Sequence, residues 1–94
     1  MESDEQQQTA ADAQAEARRV EIEDVKWLMA DKRGRRIMWR LLAEAGVYRT
    51  SFNNSGSVTA FNEGKRHIGL VLISEVNDHA AHQFLVMLKE HAEK

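Results

Sequence analysis

The chain has 94 residues with 13 Lys and Arg against 15 Asp and Glu, four His, no Cys, no Pro and a formal net charge of −2. That length bounds it to one small domain; the missing Cys removes disulfide staples, thiol catalysis and thiolate metal sites and fits an intracellular chain, and the missing Pro favours long uninterrupted helices. No apolar run approaches the roughly 20 residues that span a bilayer, and the acidic, polar start MESDEQQQ is unlike a secretory signal, so a soluble protein with no membrane role is expected.

The small net charge conceals segregation. Residues 1–25 hold eight acids and two bases, residues 26–66 nine bases and three acids, and residues 67–94 four acids and two bases. A basic middle in a chain that is near neutral as a whole points to a local acidic partner, inside the chain or outside it.

Residues 1–19 have no aromatic and no large aliphatic side chain after Met1, and so cannot offset the entropy of ordering themselves. The stretch TAADAQAEARR contains good helix formers, and a flexible N-terminal arm that turns helical against a neighbour is expected. Residues 20–94 are the expected folded domain. Val20, Ile22, Val25, Leu28 and Met29 recur at helical spacing and predict a first packed helix ending near Ala30.

Asp31 is the expected N-cap of a second helix, with Ile37, Met38, Leu41, Leu42 and Ala45 as its apolar stripe and Gly46 just past its end. The run YRTSFNNSGS reads as a loop. After it two readings compete. NEGK suits a hairpin turn between Val58–Phe61 and His67–Ile73, whereas Thr59 suits the N-cap of a helix to about Val76, with Ile68, Val71, Leu72 and Val76 on one face. The helix is preferred, because a lone hairpin between helical neighbours would be marginal. A last helix is expected to start at Asp78 and to bury Ala81, Phe84, Leu85, Leu88 and Ala92. The fold class that follows is all-α, a small irregular bundle of about four helices. A core of about seventy residues supplies only about 3–5 kcal/mol, so self-association or docking on a partner is the expected supplement.

GRRIMWRLLAEAGVYRTSF and FNEGKRHIGLVLISEVN, within Val20 to Leu88, resemble a family of small proteins encoded by tailed bacteriophages and typified by one from the tropism-switching Bordetella podovirus. The resemblance rests on Gly-Arg-Arg followed by Trp-x-Leu-Leu, and on Phe-Asn-Glu-Gly-Lys-Arg before an apolar helix. It implies an all-helical, non-catalytic protein of the packaging and particle module, found in the virion or in the host cytoplasm during assembly. It brings no catalytic residue with it.

Lys32, Arg33, Arg35 and Arg36 crowd the first turn of the second helix, where each exposed cation opposes the helix dipole by about 0.3–1 kcal/mol. Something nearby should offset that cost. Pairing with Glu21, Glu23 and Asp24 on the preceding helix ranks first, an acidic protein partner second and nucleic acid third. Trp39, beside Arg40, reads as core before it reads as an interface anchor, and Trp27 as half exposed. Lys65 and Arg66 read first as a self-paired helix start; a second basic patch continuous with the first is the alternative.

His79 and His82 lack matching further ligands, so neither a metal nor any other cofactor is expected. No phosphate loop, nucleophile triad or carboxylate pair argues for an enzyme. The partner-binding candidates are therefore Lys32, Arg33, Arg35, Arg36, Trp39, Arg40, Lys65 and Arg66. They are expected to serve a homo-oligomer or larger virion proteins, with a small DNA-binding regulator that uses Arg33 to Arg40 as the rival reading.

Overall fold

The structure is a computed structural model that describes residues 2–92. Four helices follow in order: α1 Glu2–Ala30, α2 Lys32–Ala45, α3 Gly56–His79 and α4 Ala81–Glu90. No strand occurs among the described residues, and the protein is an all-α small bundle. Thr59 to Val76 is helix throughout, and Gly64, the expected turn glycine, sits inside it; the only positive φ among the described glycines belongs to Gly46.

α1 starts at Glu2, far upstream of Val20. Ala, Gln and Glu carry low helix cost, and the outer half is laced by near-neighbour bonds from Gln8 to Asp12 and from Arg19 to Glu16. Apolar periodicity detects only the part of a helix that packs. Side chains 3–21 are all exposed and the first half-buried one is Ile22.

Both ends of α2 follow from local chemistry. The Asp31 carboxylate accepts the Arg33 backbone N–H at 2.7 Å, and Asp31 holds the extended conformation an N-cap needs. Gly46, at φ 73°, donates its N–H to the carbonyls of Leu42 and Ala43, both at 3.1 Å.

Two expected caps are corrected. Ser55, not Thr59, caps α3; the Thr59 hydroxyl instead accepts the Asn53 N–H at 2.9 Å and donates to the Asn53 carbonyl at 3.0 Å, pinning the loop to the first turn of the helix. Asp78 lies within the last turn of α3, and the joint to α4 is the buried Ala80, whose N–H reaches the Val76 carbonyl at 2.7 Å. α4 also stops at Glu90, so Ala92 lies beyond it. Short polar residues favour caps but serve equally well as staples, and here the chain leaves helical geometry at the buried Ala80 with no side-chain cap on α4.

The core is Met29, Met38, Leu42, Val47, Val76, Ala80 and Met87. Gly34 and Gly69 let helices approach closely around it: a Cβ on Gly34 would run into the Leu28 carbonyl, and one on Gly69 into Val47 and Ala45. The assembly is flat, 58 × 37 × 16 Å. The expected stripes of α2, α3 and α4 are covered only in part. On α2 the core takes Met38 and Leu42 and leaves Ile37 and Leu41 exposed; on α3 it takes Val76 and leaves Ile68 and Val71; on α4 it takes Met87 and leaves Leu85.

Candidate functional site

The start of α2 resolves the electrostatic oddity of its cations. Only Asp31 separates the end of α1 from the start of α2, so a cation that opposes the α2 dipole also stands at the negative end of α1. Arg35 uses this. Its Nη1 donates to the Met29 carbonyl at 2.9 Å, one of the orphan acceptors of the last turn of α1. The other edge of the guanidinium forks onto Glu90 at the end of α4, Nε to Oε1 at 2.8 Å and Nη2 to Oε2 at 3.1 Å. Both side chains are mostly covered, 11% and 19% exposed.

Hydrogen bonds from Arg35 hold the Glu90 carboxyl below the usual carboxylate range against the opposing effect of desolvation, with the charges of Arg35, Lys32 and His91 adding to the lowering. The Arg35 guanidinium is raised in turn, first by its hydrogen bond to Glu90. One fork therefore ties three helices together.

The acids expected to meet this cluster do not. Glu21 pairs with Arg18 at 3.0 Å and Glu23 lies 3.6 Å from Lys26, while Arg18 also reaches Glu75 on α3 at 2.8 Å. Glu90 could have been suspected only as an acid at the end of the last helix, since nothing in the spacing brings it to Arg35. Lys32, Arg33, Arg36 and Arg40 stay exposed, with no carboxylate of the described residues within 4.0 Å of their charged nitrogens.

Trp39 is half buried and packs against the core. Its indole stacks on the His91 imidazole, centroids 4.6 Å apart and planes within 6°, and tilts against Tyr48 at 6.1 Å. Trp27 goes further outward than expected, 78% exposed, and with Leu28, Arg33, Gly34 and Ile37 lines a shallow apolar depression where α1 turns into α2.

Lys65 and Arg66 lie inside α3, not at a helix start. Lys65 lies with its ammonium 5.0 Å from the centre of the Phe61 ring, beside Glu44, Ala45 and Gly46. That is the far end of α2, about 15 Å along its axis from Arg35. Arg66 is half buried on α3. Among the described residues no three His, Cys, Asp or Glu side chains gather as metal ligands would; His79 instead stands near Glu75 and Arg18.

What the residues build is one outward strip on α2, Arg33, Arg36 and Arg40 beside the exposed Ile37 and Leu41. Fold and surface together define a small all-helical protein with a cationic, partly apolar outer face. The chain belongs to the Bbp19-like phage protein family, whose model matches residues 25–89. Comparisons with curated proteins and with solved structures find no match. The matched span holds all of α2, α3 and the core, and the outer half of α1 lies outside it.

Proposed function

We propose that this phage protein is a non-catalytic component of the virion or of its packaging module, acting by self-association and by docking on larger virion proteins. The observation that carries the reading is apolar surface. Among the described residues twelve large apolar or aromatic side chains are exposed and only seven hydrophobic residues are buried. Scattered exposed apolar groups are ordinary, but Trp27, Ile37 and Leu41 adjoin one another across two neighbouring depressions that share Ile37. Such a domain gains by covering that face with protein.

A DNA-binding role would use the same arginines as phosphate ligands. Exposed Ile37 and Leu41 in the same strip speak against it, because a phosphate backbone offers them nothing to pack on. The test is peptide mass spectrometry on purified, DNA-filled particles. Stoichiometric peptides from this chain support a virion component; their absence from particles, with the protein abundant in the infected cytoplasm, refers it to assembly or gene control.

A further inference from the structure

Two surfaces of this chain complement each other and do not meet within one copy. The outer half of α1, residues 2–17, carries five acids and no base. Its side chains from 3 to 17 are exposed, and the polar contacts recorded for them stay on α1. Glu5 and Asp12 are seven residues apart, so they stand on one ridge about 10.5 Å apart, and Ala13 and Ala17, one turn apart, form an exposed apolar edge beside it.

On α2, Arg33 and Arg40 are also seven apart, with the same pitch of about 10.5 Å, and Ile37 and Leu41 form the apolar edge. Acid matches base in spacing and each has an apolar flank on which the other can close. A helix with no packed face is marginal in water at this length. Laying it on a neighbour supplies the missing face.

We propose that the outer half of α1 of one copy lies along the Arg33 to Leu41 strip of α2 of a second copy, Glu5 and Asp12 opposite the arginines, and that the second copy returns the same contact. This rests on the reading that the protein works by self-association and names the surfaces that do it. Reciprocity follows from area. One helical stretch about 24 Å long and 10 Å wide covers about 240 Å², and a two-fold exchange raises that to about 480 Å² per partner, below the roughly 800 Å² of a stable interface and in the range of a weak, reversible dimer.

A charge swap tests this on the full chain. Glu5→Lys/Asp12→Lys places bases at the two matched positions of the arm and Arg33→Glu/Arg40→Glu places acids at the two matched positions of the strip, so each variant sets like charges opposite each other at those positions in its own dimer while a mixture restores opposite charges there. Sedimentation velocity should show the wild type as a dimer weakened by salt, each variant about ten-fold or more weaker, and the equimolar mixture back near the wild-type affinity. Circular dichroism checks that helix content is kept, and Arg33→Gln/Arg40→Gln reports the same loss if charge reversal impairs folding.

A wild type that dimerises while both variants dimerise equally well would overturn the proposed surfaces and leave self-association standing. A wild type that stays monomeric at every concentration would remove both. Salt-steep binding to duplex DNA that Arg33→Glu/Arg40→Glu abolishes, with association unchanged, would assign the strip to phosphate and overturn the inference.

Discussion

Arg35 and Glu90, 55 residues apart in the chain, are joined by two parallel hydrogen bonds that lock the start of α2 to the end of α4. A forked, largely covered pair differs from the exposed pairs elsewhere on this surface, because removing one partner leaves the other desolvated without compensation. Arg35→Gln and Glu90→Gln should each lower the urea midpoint clearly, and the double variant should lose less than the sum of the singles. Arg36→Gln should stay within about 0.5 kcal/mol of wild type. Equal effects of Arg35→Gln and Arg36→Gln would remove Arg35 from its bracing role.

Stability should depend on pH on the acid side. The Glu90 carboxyl is lowered by its bonds to Arg35, and that of Glu75 by its bond to Arg18. A carboxyl that is lowered in the folded chain binds its proton first in the unfolded one. Its contribution is complete above the ordinary carboxylate range and drains away as pH falls below about 4. Thermal melts from pH 7 down to pH 3 should therefore show a falling Tm, and Glu90→Gln should flatten that fall. An unchanged slope in the variant would refute the assignment.

Gly34 and Gly64 should respond in opposite directions to the same methyl group. At Gly34 the new Cβ meets the backbone carbonyl of Leu28, which cannot step aside without moving the end of α1. Gly34→Ala should cost about 1–3 kcal/mol in urea unfolding. Gly64 is inside α3 with nothing within 4 Å of a built Cβ, so Gly64→Ala should gain about 0.5–1 kcal/mol.

Leu41 and Leu42 are neighbours with different tasks. Leu42 is fully buried and Leu41 is 49% exposed on the strip beside Arg40. Leu42→Ala should lose about 2–5 kcal/mol of stability. Leu41→Ala should move stability by no more than about 0.5 kcal/mol and should instead raise the dissociation constant seen in sedimentation. Matching losses of stability for the two would mean that Leu41 is packed inside the monomer.

The fold was legible where a single residue acts on its own backbone. Asp31 and Gly46 bound α2 by local bonds and local φ, and both stand in the sequence at the right places. Thr59 and Asp78 misled because a short polar side chain caps, staples or faces solvent with equal ease, and only the packing around Val76 and Ala80 chooses among these. Apolar spacing marked the helices that pack, yet Ile37, Leu41, Ile68, Val71 and Leu85 stand outside the core. Periodicity measures how wide a stripe is. Which side of it is covered depends on where the other helices lie. The partner of Arg35 was beyond reach for the same reason, since a pair 55 residues apart leaves no mark on spacing.

α1 continues without a break from Glu2 to Ala30, passing from solvent into the core. A continuous rod of 29 residues is about 43 Å long, and each residue in it advances about 1.5 Å and turns about 100°. The compass bearing of Glu5 and Asp12 is therefore geared to Met29. Inserting one residue between Ala13 and Arg18 would swing the acidic ridge by more than a quarter turn relative to the domain, whereas inserting seven would lengthen the rod by about 10.5 Å and return the ridge nearly to its heading. The outer helix works as a vernier, in which length and bearing are set together by counting residues.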